Sequence, residues 1–219
     1  SRYNKLSNFT VSINGTDTLY GVYIHAGSNF TQISNFTVLV NGSGTTGIEG
    51  ILAFQAPSSN SNAFLAADSG KIIVNAQSNA YGLDLSDNTH GVIKNINISI
   101  SNGTAINLPC SNTCPPVNNT LRNVNSLIPA SGSYYDLYLA ANSNGSVFID
   151  DVLPGAYYFL GTGSKIIVGN SVFGNISFGK AINGTGTNFS DMIRIGNNSV
   201  FVNDSLVGGG SFNVSANVT

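Results

Sequence analysis

Charged side chains are scarce in this chain: they make up only 8% of its 219 residues, against about 25% in an ordinary soluble domain. The ten acidic and eight basic residues are scattered without runs, and the formal net charge is −2. The sequence therefore has no basic patch of the kind that binds nucleic acid or an anionic membrane surface. A chain with few carboxylates also has little stability to lose in acid, where paired carboxylates become protonated, so we expect an acid-tolerant protein.

Long apolar runs are absent as well. No stretch of about 18 consecutive apolar residues occurs, which predicts that no segment inserts directly into a bilayer. The first residues also lack the charged and apolar regions of a signal peptide, and residues 1–4 are expected to be a mature terminus left after processing. The apolar fraction of 42% is nevertheless large enough to build a core.

Only two cysteines are present, and there is no tryptophan. Cys110 and Cys114 lie between prolines, and in an extracellular chain such a close pair predicts a local disulfide, which would stabilise the fold by about 2 kcal/mol through chain entropy. A zinc site is the alternative, but it needs two further ligands, and His25 and His90 are the only histidines. We therefore predict a disulfide and neither a metal nor another cofactor.

Asparagine, in contrast, is abundant, and much of it stands in Asn-x-Ser/Thr triplets, the acceptor sites of N-glycosylation. Sixteen triplets occur, whereas random placement of the 31 asparagines and 43 serines and threonines would give roughly 6. The excess predicts an extracellular or cell-surface glycoprotein, although a chain of this composition also forms such triplets by chance. The preferred acceptors are Asn14, Asn41 and Asn102, each expected in an exposed turn after a strand. The other predicted acceptors are Asn29, Asn118, Asn144, Asn175, Asn183, Asn188, Asn197, Asn203, Asn213 and Asn217.

A repeat runs through the first half of the sequence. Residues 6–16, Leu-Ser-Asn-Phe-Thr-Val-Ser-Ile-Asn-Gly-Thr, return 27 positions later at residues 33–43 as Ile-Ser-Asn-Phe-Thr-Val-Leu-Val-Asn-Gly-Ser. Related segments begin at Ile93 and, more weakly, at Leu121, and one further unit is centred on residues 70–75. A period of about 20 to 50 residues is the mark of a solenoid.

Within each unit apolar and polar residues alternate, as in Phe9, Val11 and Ile13, and a Gly-rich turn then leads to a second short strand. This is the period of a β-strand, and no segment has helical spacing. Two or three strands in each coil of about 22 to 30 residues predict an all-β, right-handed parallel β-helix of about seven or eight coils. We assign residues 1–207 to this solenoid and residues 208–219 to a glycine hinge and a terminal strand, with a β-sandwich as the alternative for the C-terminal half.

The start of each unit, apolar-x-Asn-apolar as in residues 6–9 and 93–96, and the Gly-Val-Tyr-Ile second strand at residues 21–24 resemble the pectate-lyase-like superfamily of parallel β-helices. The resemblance extends over about residues 5–205. It implies the architecture of the chain and says almost nothing about its chemistry.

One asparagine recurs at the same position of four units. Asn8 and Asn35 are followed by x-Thr, but the equivalent Asn95 and Asn123 are not, so glycosylation does not explain the shared residue. We predict instead a ladder of stacked side-chain amides in a turn between coils, in which Asn8 and Asn35 carry no sugar.

Many pectate-lyase-like proteins cut polysaccharides, so their catalytic elements are the ones to look for. The pair Asp150-Asp151 and the segments around His90 and Arg194 are faintly similar to elements of the polygalacturonase branch, but their order differs and key residues are missing. Hydrolysis needs two carboxylates placed across the sugar. Lyase chemistry would need an acidic cluster that binds calcium, but Asp84, Asp87 and the pair at residue 150 belong to different coils. We therefore predict no catalytic residues and no enzyme.

The composition resembles that of secreted surface glycoproteins of thermophilic archaea. A solenoid also has open ends that must be capped or joined to another subunit, and neither residues 1–5 nor residues 211–219 carry a helical or charged cap. We expect an acid- and heat-tolerant structural subunit of an extracellular glycosylated assembly, a filament, sheath or surface coat, whose partners are copies of itself and covalent N-glycans. The alternatives are an adhesin or viral receptor-binding spike and, from another class, a polysaccharide lyase or hydrolase.

Overall fold

Parallel strands build the structure, a computed structural model that describes residues 3–25, 30–44, 47–53, 64–77, 79–86, 90–109, 118–127 and 137–139, together with shorter strands between residues 146 and 206. Each long strand of a first sheet is followed in the chain by a short strand of a second sheet. Residues 4–138 therefore form an all-β parallel β-solenoid of about three turns.

The first sheet is built by the strands that carry the sequence repeat. They are β1 (Asn4–Gly15), β3 (Thr31–Gly42), β5 (Leu65–Ala76), β7 (Val92–Ile100) and β9 (Thr120–Leu127). Asn4 of β1 pairs with Thr31 of β3 and Gly15 with Gly42, so the predicted shift of 27 residues is the offset between these two strands. The unit predicted around residues 70–75 is β5, which lies between β3 and β7.

The second sheet is formed by shorter strands. They are β2 (Leu19–Ile24), β4 (Ile48–Ala53), β6 (Ala80–Asp84), β8 (Gly103–Leu108) and β10 (Leu137–Leu139).

The strands that follow in the chain belong to both sheets. They are β11 (Ser146–Ile149), β12 (Val152–Leu153), β13 (Tyr157–Phe159), β14 (Ile166–Gly169), β15 (Val172–Phe173), β16 (Ile176–Phe178), β17 (Ile193–Ile195) and β18 (Asp204–Leu206). The first sheet has the order β1-β3-β5-β7-β9-β11-β14-β17, with β12 and β15 beside it, and the second has the order β18-β16-β13-β10-β8-β6-β4-β2.

One residue in the left-handed backbone conformation bends each long strand. This residue is left out of the pairing between neighbouring strands. It also shifts the alternation of side chains by one position, so that Ile33 and Phe36 both face the interior although they are three positions apart. Asparagine tolerates the conformation better than most other residues. The predicted amide ladder therefore lies at a corner within each coil, and the prediction of a turn between coils was wrong. The corner residues, with φ from 51° to 56°, are Asn8, Asn35, Ser69, Asn95 and Asn123.

Small residues form the corresponding corner of the second sheet. Strand pairing there leaves out Gly21, Gly50, Gly82 and Ala105. A Cβ atom on Gly50 would lie 2.4 Å from Cγ2 of Ile72 and 2.5 Å from the carbonyl oxygen of Gly82. The backbone at this corner thus lies very close to the interior side chains and to the next coil. A Cβ atom fits there only if the neighbouring atoms shift.

The interior is a column of stacked aliphatic side chains. Equivalent positions of successive coils lie next to one another in the strand register, and each residue of the column is at most 1% exposed. Burial of one such side chain is worth about 1.5 to 3 kcal/mol. The central members are Val38, Ile72 and Ile98 from the first sheet and Ile51, Leu83 and Ile106 from the second.

We expect Gly50→Ala to lower the free energy of unfolding by about 1 to 3 kcal/mol, because the added methyl group overpacks the corner against Ile72 and the Gly82 carbonyl group. The matched control is Ala105→Gly, which removes a methyl group at the same corner position one coil beyond Gly82 and should cost less than about 1 kcal/mol. Urea denaturation followed by circular dichroism measures both. Equal losses in the two variants would contradict the steric explanation.

Candidate functional site

The first coil leaves its interior open in the described part of the chain. β1 and β2 are the end strands of the two sheets, and each pairs on one side only. Phe9 and Val11 are half-buried, whereas their counterparts one coil later, Phe36 and Val38, are 4% and 0% exposed. The face of the first coil, which we call the open face, thus presents an apolar interior and a strand edge of twelve residues.

A stack of aromatic rings ends at the open face. Tyr3, Phe30 and Phe64 each stand directly before a long strand, β1, β3 and β5 respectively. The ring centroids of Tyr3 and Phe30 are 4.9 Å apart, and those of Phe30 and Phe64 are 4.2 Å apart. Tyr3 is 60% exposed, so the stack reaches the surface at the open face. The signal in the sequence was an aromatic residue before each of three strands, which the repeat comparison overlooked.

Side-chain hydrogen bonds join the corner residues of the first sheet. Asn35 Nδ2 donates to Asn8 Oδ1 over 3.3 Å, and Asn123 Nδ2 donates to Asn95 Oδ1 over 2.9 Å. In the third coil Asp68 supplies the acceptor, because its Oδ1 lies 2.9 Å from Asn95 Nδ2. All four asparagines predicted for the ladder therefore make corner hydrogen bonds, in two runs.

A second amide ladder joins the ends of β1, β3 and β5. Asn41 Nδ2 donates to Asn14 Oδ1 over 2.7 Å, and Asn75 Nδ2 donates to Asn41 Oδ1 over 2.8 Å. Asn41 uses both its nitrogen and its oxygen in this ladder, whereas Asn14 uses only its oxygen. Asn14 and Asn41 were predicted as glycosylation acceptors, and their shared repeat position was the signal for the ladder.

All amide ladders of the described residues run in the same direction. In each hydrogen bond the nitrogen belongs to the later coil and the oxygen to the earlier coil, including the bond from Asn125 to Asn97. At the open face the oxygens of Asn8 and Asn14 are occupied, while their Nδ2 groups donate to no described residue. The open face therefore presents amide donors, and a coil placed against it must present acceptors.

Two of the three preferred glycosylation acceptors lie in strands. Asn14 and Asn41 belong to β1 and β3, not to exposed turns as predicted. Asn102 lies between β7 and β8, where its Nδ2 donates to the carbonyl oxygen of Ala76 over 2.8 Å. Asn118 is exposed. The predicted acceptors outside the described residues are Asn29, Asn144, Asn175, Asn183, Asn188, Asn197, Asn203, Asn213 and Asn217.

Other predictions also fall outside the described residues. Cys110 and Cys114 are among these residues, so the disulfide stays a prediction, and so are the pair Asp150-Asp151 and residues 208–219. His90 is described and exposed, with Nε2 3.2 Å from Nδ2 of Asn118 in the next coil. Within the described ranges no three His, Cys, Asp or Glu residues gather as a metal site. The same ranges contain no helix long and apolar enough to cross a membrane.

A buried pair of acidic residues was missed by sequence reasoning, which considered Asp84 but not Glu49. Glu49 in β4 and Asp84 at the end of β6 are 7% and 4% exposed. Asn107 Nδ2 donates to Asp84 Oδ2 over 3.0 Å, and the hydroxyl group of Ser86 donates to Asp84 Oδ1. Glu49 Oε2 has no hydrogen-bond partner among the described residues. A buried carboxyl group without partners is unfavourable in its charged form.

The electrostatics of this pair keep Glu49 neutral. Burial raises the pKa of Glu49 to about 8, and the nearby charge of Asp84 adds to the shift. Tyr20 and Tyr81, which flank Glu49 in the neighbouring strands, also have raised pKa values, mainly through burial and secondly through nearby carboxylates. Glu49 therefore holds its proton through neutral pH.

This pKa shift predicts a protein that is more stable in acid. A carboxyl group with a higher pKa in the folded state contributes stability that is complete below its unfolded pKa and is lost as the pH rises through the folded pKa. For Glu49 the window runs from 4.5 to about 8. We expect the free energy of unfolding to fall by a few kcal/mol across it, and Glu49→Gln to remove most of that fall.

Chemical denaturation at about pH 5, 7 and 9 measures the effect. Asp17→Asn, which removes an exposed carboxyl group, is the matched control. A Glu49→Gln variant with the same pH dependence as the unmodified chain would contradict the assignment.

Comparison with known proteins gives no relative. No family model, no curated protein and no solved structure matches the chain. Its function therefore has to follow from its own features, which are the open face, the ladders that end there and the buried acidic pair.

Proposed function

We propose that the protein is a structural subunit of an extracellular, N-glycosylated assembly, a filament, sheath or surface coat built from copies of this chain. Its solenoid is right-handed, has the pectate-lyase-like architecture and continues to about seven or eight coils over residues 1–207. The parallel pairing of β11 to β18 with the same two sheets supports this continuation. It disfavours a β-sandwich, whose sheets are antiparallel.

The open face is the observation that carries this proposal. A strand edge with unpaired backbone groups above an apolar interior is a template for pairing with another chain. Two amide ladders end there, at Asn8 and Asn14. A further coil with the same sequence pattern extends both ladders by one step, and other copies of the chain supply such coils.

Cleavage of a polysaccharide is disfavoured by the burial of the acidic pair. Catalysis at a glycosidic bond requires two carboxyl groups that flank the sugar, and Glu49 and Asp84 are 7% and 4% exposed. A stiff shaft in an adhesin or viral spike is the second candidate, because stacked coils suit it equally. A closed trimer favours the spike, and an open polymer favours the filament.

We expect the purified chain to form concentration-dependent polymers, visible by negative-stain microscopy and sedimentation. Val11→Lys should abolish or shorten them, because it places a charge in the apolar interior at the open face. Ser12→Lys is the matched control, since Ser12 is exposed on the opposite side of β1, and it should polymerise normally. Thermal melting of both variants tests whether the solenoid is retained. A chain that stays monomeric at high concentration would contradict the proposal.

We expect glycans on at least half of the sixteen acceptor sites, with Asn14, Asn41 and Asn102 among them. In chains that are not assembled, occupancy should be higher at Asn14 than at Asn41, because Asn41 uses its Nδ2 group in the ladder and Asn14 does not. Intact-glycopeptide mass spectrometry of native material measures the occupancy of each site. Bare asparagines at all three positions would contradict the expected sugar coat, and a higher occupancy at Asn41 would contradict the role of the ladder.

A further inference from the structure

The C-terminal segment repeats the sequence of the strand at the open face. Residues 212–217 read Phe-Asn-Val-Ser-Ala-Asn, and residues 9–14 of β1 read Phe-Thr-Val-Ser-Ile-Asn, so that four of six positions are identical. The two differences keep the alternation of apolar and polar residues. This match lies outside the repeat of the first half of the chain, and the open face gives it a physical meaning.

A strand with this pattern fits the edge of β1 that pairs with no other strand of the described residues. In the first sheet each long strand pairs in parallel with its counterpart, as Phe9 does with Phe36 and Asn14 with Asn41. The same register places Phe212 beside Phe9 and Asn217 beside Asn14. Phe212 then covers a half-buried ring at the open face, as Phe36 does on the other side of Phe9.

The direction of the amide ladders fits as well. Asn14 Oδ1 is already bonded to Asn41, and its Nδ2 group is the one that remains available. Asn217 brings a side-chain oxygen to this position as the acceptor, which extends the ladder in the direction that its existing bonds follow. A strand with an aliphatic residue at position 217 would leave the donor without this partner.

The segment cannot reach the open face of its own molecule. β18 ends at Leu206, and six residues lead from there to Phe212, a distance of at most about 22 Å. β18 and β2 lie at opposite ends of eight strands in the second sheet, which is roughly 34 Å at the usual strand spacing. The segment can therefore occupy the β1 edge only of a second copy. Gly208, Gly209 and Gly210 give the connection the backbone freedom that such a crossing needs.

We propose that residues 211–217 of one copy add as a parallel strand to β1 of the next copy, with Phe212 beside Phe9, Val214 beside Val11 and Asn217 beside Asn14. This inference rests on the proposed homopolymer and names the contact that holds it together. Main-chain hydrogen bonds to the edge provide affinity, and the alternate side chains provide register. The contact joins two different surfaces, so each copy offers one segment and one edge, and assembly continues as an open polymer.

Paired cysteines test the register. Thr10 is exposed on β1 and stands beside Asn213 in the proposed pairing. Directly opposed residues of neighbouring strands have Cα atoms about 5 Å apart, within the range of a disulfide, whereas residues displaced by two positions are about 8 Å apart and outside it. The double variant Thr10→Cys with Asn213→Cys should give covalent dimers and higher oligomers on a non-reducing gel. Ser12→Cys with Asn213→Cys is the control and should give at least five-fold fewer, with Cys110 and Cys114 present in both.

The outcomes separate the two proposals. Polymers without a preference for the Thr10 pair, or a disulfide within one chain, would overturn strand addition in this register while the homopolymer stands. The absence of polymers from the unmodified chain would overturn both. Deletion of residues 208–219 provides a second measurement: the truncated chain should keep its β-sheet circular dichroism and sediment as a monomer, and normal polymers from it would overturn the inference.

Discussion

Stacking in register is the constraint on which this molecule depends. Equivalent positions of successive coils lie about 4.8 Å apart, so each side chain meets its own counterpart from the next coil. Like charges directly opposite each other are destabilising at that spacing, whereas aliphatic chains, aromatic rings and amides pack against copies of themselves. An amide is complementary to another amide because it carries both a donor and an acceptor. The 8% of charged residues and the 31 asparagines are thus what a stacked fold requires.

Two acidic groups of the described residues, Asp68 and Glu49, enter the stack and are compensated in different ways. Asp68 replaces an amide at the corner, and Lys94 Nζ lies 2.9 Å from its Oδ2 in the next coil. Glu49 faces no cation among the described residues, and it keeps its proton instead, because burial and the charge of Asp84 raise its pKa to about 8. The two solutions have opposite consequences in acid. An ion pair is lost when its carboxylate is protonated, but a carboxyl group that is already neutral loses nothing.

The course of the long strands could be predicted from the sequence, and the corners and contacts between coils could not. The shift of 27 residues was readable because Phe9 and Phe36 stand in nearly identical segments. The corner was missed because a period of two places Ile33 and Phe36 on opposite faces, and only a left-handed φ at Asn35 brings both inward. Glu49 has no counterpart among its neighbours in the stack, which are Tyr20 and Tyr81, so no repeat pointed to it. The function remains a proposal, because composition and repeats describe stacking and not a partner.

The same asparagines serve two purposes that compete. An amide in a ladder gives its nitrogen to the earlier coil, and a glycan is attached at that nitrogen. The competition is weakest where a ladder ends, because the last amide has a nitrogen that no neighbour uses, as at Asn14. Another copy would also bind at the end of a ladder. A sugar on Asn14 and a strand beside β1 would therefore compete for the Nδ2 atom of Asn14. If strand addition joins the copies, a sugar on Asn14 or on Asn217 would interfere with the contact and limit polymer growth, while glycosylation away from this contact would not. Sixteen acceptor triplets in a stacked fold therefore do not predict sixteen sugars, because at a position such as Asn41 the ladder already uses the nitrogen to which a sugar would be attached.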